Sequence, residues 1–158
     1  MDTTQEVGRS SVKKLVFLAN DANDSTWQVI TDHLKKHGQL FTEHYSPEGA
    51  RKLVFDGSMD LWVGGYDENG TFFIEIYAFT SILQYDKKRA FMIWFVGGKF
   101  LKHYLPTLEI FRGYANEKHC TCIEMNARPG IERIAKKVGF VEKMVHLSLP
   151  LRNKKELN

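Results

Sequence analysis

The sequence lacks the features that mark several large classes of protein. It has two cysteines, and no hydrophobic run approaches the roughly eighteen residues of a membrane span. Its formal net charge is +3, with no basic stripe interleaved with aromatic residues, so nucleic acid is not expected as a partner. Its first residues lack the apolar core of a signal peptide. These absences favour a cytoplasmic protein over a secreted, membrane-spanning or nucleic-acid-binding one.

Metal-binding patterns are also missing from the sequence. Cys120 and Cys122 lie two apart on a predicted strand, so their side chains share a face, and no second pair of ligands accompanies them. The six histidines are spread over distant segments without metal-ligand spacing. We therefore expect no metal site and two reduced, buried thiols.

The composition is that of a globular protein with a packed core. Hydrophobic residues make up 43% of the 158 residues and aromatic residues 13%. A chain of this length ordinarily forms one domain and buries about two thirds of its surface on folding. We expect a single domain over residues 1–158, with loose tails at residues 1–11 and 151–158.

The stretch Arg89–Gly98 organises the chain. It alternates as a strand, with Phe91, Ile93 and Phe95 on one face and Met92, Trp94 and Val96 on the other. Both faces are apolar, which is typical of an interior strand covered by a layer on each side. The strand ends in Gly97-Gly98, where the backbone can turn freely or approach another group closely.

Helices and antiparallel strands are predicted before this stretch. One helix is capped at Asp24 or Ser25, and Ser46-Pro47 opens another. Strands at residues 60–66 and 71–79 flank the turn Asn69-Gly70, a strong hairpin signal. With Arg89–Gly98 they form an antiparallel meander.

Helices and strands alternate after Gly98. Pro106 removes a backbone donor, so the regular helix is predicted to begin near Leu105. A strand at residues 119–125, a helix at 131–138 and a last strand at 144–149 follow. The pattern predicts an α/β (α+β) fold, with a mixed, mostly antiparallel central sheet and helices on both faces.

The order of these elements resembles the GNAT family of N-acetyltransferases over roughly residues 62–149. The nearest likeness is to divergent GNAT-like proteins encoded by phages and prophages. The motifs that carry it are Leu61-Trp62-Val63, Gly97-Gly98, Leu105-Pro106, Ile123-Glu124, Arg128-Pro129-Gly130 and Gly139-Phe140. The resemblance implies that the fourth strand splays from the fifth and that acetyl-coenzyme A lies in the gap.

The resemblance also implies cofactor-binding positions. The loop after the fourth strand would offer backbone N–H groups to the pyrophosphate, because glycine loops and helix N-termini present unsatisfied donors to anions. Here the loop residues are Phe95, Val96, Gly97, Gly98 and Lys99, with Lys102 and His103 as further neutralising groups and a solvated basic turn as the alternative.

Two residues beyond the fifth strand complete the implied cofactor site. Asn126 could hydrogen-bond the pantetheine amides, with a plain turn residue as the alternative. Arg128 could clamp an anion, pair with Glu124 or simply begin a helix. The sequence departs from the family at two places: no second glycine follows Gly98 at the usual spacing, and Ala135 stands where the family often has a tyrosine that protonates the thiolate.

Acylation of an amine also requires that the amine lose its proton. The central strand has no carboxylate between Phe91 and Val96, but the neighbouring strands carry Glu75 and Glu124. Each is a candidate base acting through water, and each could instead face solvent or pair with a basic residue. Glu124 is the preferred candidate because it lies at the end of a strand, next to the loop expected to line the cleft.

Two functional hypotheses follow. The first is an acetyl-coenzyme A dependent N-acetyltransferase that acts on an unidentified small-molecule or protein amine. The second is a non-catalytic GNAT-fold protein, such as a phage structural or virion-associated component that binds other phage proteins. The resemblance places the protein in the host cytoplasm, or packaged in a virion under the second hypothesis.

The two cysteines give a direct prediction. A disulfide between strand residues two apart is disfavoured because their Cβ atoms lie about 7 Å apart, beyond bridging distance. Titration of the denatured, unreduced protein with a thiol reagent should therefore find two free thiols. Finding none would contradict both the absence of a disulfide and the cytoplasmic location.

Overall fold

The computed structural model describes residues 11–151 and contains a five-stranded sheet. Its strands are β1 Ser11–Leu18, β2 Asp60–Glu68, β3 Thr71–Gln84, β4 Arg89–Gly98 and β5 Cys122–Met125. They lie in this order across the sheet, with antiparallel pairs up to β4 and a parallel pair between β4 and β5. The mixed, mostly antiparallel sheet is confirmed. Of the tails predicted at 1–11 and 151–158, residues 1–10 and 152–158 lie outside the described part.

The helices begin close to their predicted capping residues. They are α1 Asp24–His37, α2 Gln39–Thr42, α3 Pro47–Phe55, α4 Phe100–Glu117 and α5 Pro129–Lys137. The cap of α1 is Asn23 instead of the predicted Asp24 or Ser25, and it accepts a hydrogen bond from the Thr26 N–H, while Ser46 accepts one from the Gly49 N–H as predicted. None of the described helices is long and apolar enough to cross a membrane.

Two hydrophobic cores cover the two faces of the sheet. The first contains Leu34 and Phe41 from the α1–α3 layer together with Phe79 from β3. The second contains Phe111 of α4 packed against Phe91. Helices therefore lie on both faces, as predicted. In the order of the sheet β4 is an interior strand, although β3 occupies the centre.

A β-bulge changes the faces of β4 near its end. Phe91 and Ile93 belong to the second core, but Phe95 belongs to the first, so the prediction that all three share a face is wrong. The pairing with β3 shifts between Phe79↔Phe95 and Thr80↔Ile93, which leaves Trp94 as the extra residue. A bulge places two consecutive side chains on one face, and Trp94 packs against the first core beside Phe95.

The helix after Gly98 begins earlier than predicted. α4 starts at Phe100 and runs through Pro106, so the start near Leu105 is wrong. The Lys99 N–H donates to the Glu75 carbonyl oxygen at 2.6 Å, which fixes the start of the helix against β3. The buried His103 and Phe111 then pack toward the sheet, and this packing outweighs the backbone hydrogen bond that proline cannot make.

The end of the described chain differs from the prediction. Residues 140–151 contain no helix or strand, so the last strand predicted at 144–149 is wrong. Its alternating apolar pattern is typical of a half-buried strand, but Met144, Leu147 and Leu149 are exposed because none of the described strands pairs with this segment. The chain falls into two compact units, up to Asn126 and from Ala127 onward.

The cysteines also differ in detail from the prediction. Cys122 is the first residue of β5, whereas Cys120 precedes that strand. Both thiols are half-buried instead of fully buried. Cys120 packs against the second core. The shared strand face assumed for the pair is therefore wrong, because the strand begins later than the sequence pattern predicts.

The packing of the first core gives a stability prediction. Phe79 is 0% exposed and stacks on Phe41 with ring centroids 5.0 Å apart, whereas Phe55 is 89% exposed. Phe79→Ala should lower the free energy of unfolding by about 3–5 kcal/mol, since it leaves a cavity. The matched change Phe55→Ala should alter it by less than about 0.5 kcal/mol. Urea unfolding measures both, and equal losses would contradict the assigned core.

Candidate functional site

The sheet opens between β4 and β5. The parallel pairing runs from Ala90↔Cys122 to Ile93↔Met125, and the Asn126 N–H then donates to the Ile93 carbonyl oxygen at 3.1 Å. β4 continues to Gly98, and its residues Val96, Gly97 and Gly98 pair with β3 but not with β5. Among the described residues, no strand therefore covers the side of β4 that faces β5 along residues 96–98. This is the splayed geometry that the resemblance implied.

The two glycines that end β4 are required by contacts with β3. A Cβ at Gly97 would overlap the ring of Tyr77, and a Cβ at Gly98 would overlap the Glu75 carbonyl oxygen. Gly98 also has a φ of 90°, which favours glycine. Packing within the protein thus explains both glycines without a ligand, whereas the sequence suggested a close approach of the pyrophosphate.

Glu75 lies at the centre of a cluster of charged groups beside these glycines. It is the extra residue of a bulge in β3, between the pairs Gly64↔Ile76 and Gly65↔Ile74. Its carboxylate lies within 3.3 Å of Nζ of Lys99, Nζ of Lys102 and Nε2 of His103. The Glu75 side chain is 7% exposed, so these three groups meet a carboxylate that is largely removed from water.

The start of α4 explains why these three residues converge. Lys99 directly precedes the helix, and Lys102 and His103 lie in its first turn. Residues three and four apart share one side of a helix, so all three side chains reach Glu75. A helix starting at Leu105 would leave them in a loop, and the sequence prediction therefore missed the cluster. The spacing of three and four from Lys99 was the available signal.

The cluster changes the ionisation of its members. Burial raises the pKa of Glu75, but hydrogen bonds from Lys99 and Lys102 more than offset this, and the pKa lies below its usual value. A depressed carboxyl pKa stabilises the fold above the unfolded-state value near 4.3, and this contribution is lost as the pH falls through the folded-state value.

His103 is a buried ionisable member of the cluster. Burial lowers its pKa, and the nearby Glu75 carboxylate offsets part of this effect. His103 Nε2 lies 3.3 Å from Glu75 Oε1, but it makes no hydrogen bond to any described residue. The imidazole is thus a buried polar group next to a buried carboxylate, without the partner that such groups usually have.

Glu124 lies away from the cluster. Its carboxylate accepts hydrogen bonds from Lys88 Nζ at 2.5 Å and from the Tyr85 hydroxyl at 3.2 Å. Both partners precede β4, and Glu124 itself pairs with Met92, which lies roughly 20 Å from Gly98 at the rise of an extended strand. The structure therefore does not bring the preferred base together with the loop. The pairing with a basic residue, which the sequence left open, is the arrangement found.

The remaining predicted cofactor residues lie in three different parts of the structure. Phe95 and Val96 direct their side chains into the first and second cores, so only their backbone faces the opening. The backbone of Asn126 marks the point where the opening begins. Arg128 precedes α5 in the second compact unit, and its side chain does not cap the helix.

A further polar pair lies beside Gly97 and was not predicted. His33 Nδ1 of α1 and the Tyr77 hydroxyl of β3 are 2.6 Å apart, and the Tyr77 ring packs on Gly97. An imidazole bonded to a hydroxyl can pass a proton. The sequence gave no signal for the pair because the two residues are 44 positions apart.

Metal-binding chemistry has no candidate in the described residues. Across residues 11–151, no group of three His, Cys, Asp or Glu side chains could hold a metal ion.

Comparison with known proteins gives structural likenesses alone. No family model matches the sequence, and no curated protein matches it. A ribosomal-protein-alanine N-acetyltransferase from Brucella melitensis biovar Abortus 2308 is similar with a TM-score of 0.60 and 11% identity, over 87% of this chain and 99% of that one. A predicted acetyltransferase from Clostridium acetobutylicum, solved with acetyl-coenzyme A, has a TM-score of 0.59 and 15% identity, over 87% and 96%.

An aminoglycoside N-acetyltransferase in complex with coenzyme A extends the comparison. It has a TM-score of 0.56 and 11% identity, over 89% of this chain and 95% of that one. The likeness thus covers nearly the whole length of each neighbour at 11–15% identity. The element order, the mixed sheet and the open edge of β4 accompany this likeness. The chain therefore has the GNAT acetyltransferase fold.

Proposed function

We propose that the chain binds acetyl-coenzyme A along the open edge of β4 and transfers the acetyl group to an amine. The observation that carries the proposal is the opening itself, where residues 96–98 continue beyond β5 and lead directly into the start of α4. An extended ligand with amide groups can pair with an open strand edge, and the first turn of a helix offers N–H groups to phosphates.

The proposed transfer needs few protein groups. The amine nitrogen attacks the thioester carbonyl, a C–N bond forms, the C–S bond breaks, and the amine proton ends on the thiol or in solvent. Backbone N–H groups at the open edge can stabilise the developing oxyanion. A thiol of pKa about 8.5 is a fair leaving group, which makes the reaction compatible with Ala135 in place of a tyrosine.

Neither predicted base suits proton removal in this arrangement. The lowered pKa of Glu75 makes its carboxylate a weak base, and both lysines already occupy it. The Glu124 carboxylate already accepts hydrogen bonds from Lys88 and Tyr85, two residues that precede β4. We therefore propose that the acceptor is an amine of low pKa, such as an α-amino group, because a larger fraction of it is already neutral in solution.

The ion pairs of Glu75 also support the second hypothesis. Lys99 and Lys102, two of the cations expected to meet coenzyme A phosphates, are already paired with Glu75 within the protein. A non-catalytic module, including a virion-associated phage component, would need no ligand at this position. Binding of acetyl-coenzyme A separates the two hypotheses.

Acetyl-coenzyme A should raise the thermal stability of the wild-type protein. A ligand that binds the folded state at a hundred times its Kd stabilises it by about 2.7 kcal/mol. For a chain of this size the Tm should rise by roughly 5–10 °C. In ¹⁵N-labelled protein the amide signals of residues 94–100 should shift most. No change in Tm or spectrum at millimolar ligand would reject binding and favour the non-catalytic module.

The choice of acceptor can be tested with two blocked peptides. One presents a free α-amino group and the other a lysine side chain. Free thiol released from acetyl-coenzyme A at pH 7.5 should form about tenfold faster or more with the α-amino peptide, because lysine has a pKa near 10.4. Equal rates would indicate that the protein supplies a base and would contradict the proposed acceptor.

The position of Glu124 gives a separate expectation for the same assay. Glu124→Gln removes a carboxylate that contacts Lys88 and Tyr85 instead of the loop. It should leave both the Tm shift with acetyl-coenzyme A and the rate of thiol release within about twofold of the wild-type values. A large loss of rate with unchanged binding would restore Glu124 as the base.

A further inference from the structure

Glu75 is buried, but two of the side chains that contact it are largely exposed. Lys99 and Lys102 have side chains that are 67% and 57% exposed, yet their ammonium groups lie 3.1 Å from a carboxylate oxygen that belongs to a buried residue. Exposed lysines ordinarily keep their charge in water, since ion pairs at the surface contribute little. Here a carboxylate with little access to water draws both of them to the sheet.

The charges of the cluster do not cancel. Two ammonium groups face one carboxylate, and burial lowers the pKa of His103 beside them, which disfavours its charged form. Lys13 of β1 adds positive potential at His103. The start of α4 thus retains a net positive charge after Glu75 has been counted, and this favours anions.

The unpartnered nitrogen of His103 points into the same cluster. His103 is almost fully buried, and its Nε2 faces Glu75 Oε1 at 3.3 Å without a hydrogen bond to any described residue. Buried polar atoms usually have a hydrogen-bond partner, so this nitrogen has hydrogen-bonding capacity that the described residues do not use. The groups around the Glu75 carboxylate therefore carry more positive charge and more hydrogen-bonding atoms than one carboxylate can pair with.

We infer that Glu75 is an internal counter-ion that holds Lys99 and Lys102 at the start of α4, and that a phosphate-bearing ligand must compete with it for both lysines. The inference rests on the proposed function for the identity of the natural ligand, the phosphates of coenzyme A. The competition itself follows from the cluster. Lysine is suited to such an exchange because its ammonium is a point charge on a flexible stem.

Backbone contacts keep the competing carboxylate in place. The Glu75 carbonyl oxygen accepts the Lys99 N–H at 2.6 Å, and Gly98 allows the close approach of the two chains. The backbone of Glu75 is therefore fixed and its side chain is buried, whereas the exposed lysine side chains can swing toward an incoming anion. Removing the negative charge of Glu75 while keeping its shape should raise the affinity for phosphates.

The test compares two variants with the same change in charge. Glu75→Gln removes the carboxylate within the cluster, and Glu124→Gln removes one that pairs with Lys88 elsewhere. Inorganic pyrophosphate and adenosine 3′,5′-bisphosphate are the probes, with Kd measured by calorimetry at fixed ionic strength. Glu75→Gln should bind both probes about tenfold more tightly than the wild type, the factor expected for one released charge-assisted contact. Glu124→Gln should match the wild type.

Further variants guard against a folding defect in Glu75→Gln. Glu75→Asp keeps the charge but withdraws the carboxylate by one methylene group, and it should also bind the probes more tightly than the wild type. Adding Lys99→Ala and Lys102→Ala to Glu75→Gln should return the affinity to the wild-type value or below it. Equal affinities for wild type, Glu75→Gln and Glu75→Asp, or no binding of either probe, would overturn the inference.

The outcomes separate this inference from the proposed function. If Glu75→Gln binds pyrophosphate more tightly while acetyl-coenzyme A has no effect on any variant, the internal counter-ion stands and the proposed function fails. If acetyl-coenzyme A binds wild type and Glu75→Gln equally well, the proposed function stands and the internal counter-ion is overturned.

Discussion

The interaction between Glu75 and the start of α4 is the constraint on which the candidate site depends. The backbone carbonyl of Glu75 accepts the Lys99 N–H, and its carboxylate binds Lys99 and Lys102. The first interaction requires glycine at position 98, since a Cβ there would overlap the carbonyl oxygen. It also places the first turn of α4 beside the open edge of β4. The conformation of the loop, the direction of the helix and the positions of the cations are therefore consequences of one residue in β3.

Two interruptions of regular strand geometry make this arrangement possible. The bulge in β3 turns the Glu75 carboxylate toward α4, and the bulge in β4 places Trp94 beside Phe95 on the opposite face. Bulges bend and twist a strand locally, and they occur often near functional sites. Here they lie on adjacent strands at opposite ends of the open edge, since Trp94 follows the last β4 residue paired with β5, and Glu75 adjoins Ile76, which pairs with Gly98.

The sequence predicted the fold far better than the site, for physical reasons that particular residues show. Alternation and turn chemistry are local signals, and they correctly placed Arg89–Gly98 inside a mixed sheet with helices on both sides. A bulge adds one residue without a local signal, so the face of Phe95 was wrong. The helix start was predicted too late because Pro106 disfavours a helix locally, and the contact of Lys99 with Glu75 that fixes the earlier start cannot be seen in the sequence. Because the helix was predicted to start too late, the cluster around Glu75 was not predicted. Glu124 was preferred as the base because it lies at the end of a strand.

The same ion cluster connects the stability of the fold with the strength of ligand binding. A buried carboxylate without cationic partners would be costly, so Lys99 and Lys102 stabilise the bulge by neutralising Glu75. Cations committed to an internal carboxylate bind an external phosphate less strongly, because the ligand must first displace that carboxylate. An enzyme that binds coenzyme A phosphates needs lysines that are available to the ligand. A binding module without such a ligand needs only a stable loop, which the ion pairs with Glu75 provide. Both demands fall on the same two lysines, because Lys99 and Lys102 are the cations that pair with Glu75 and also those nearest the start of α4.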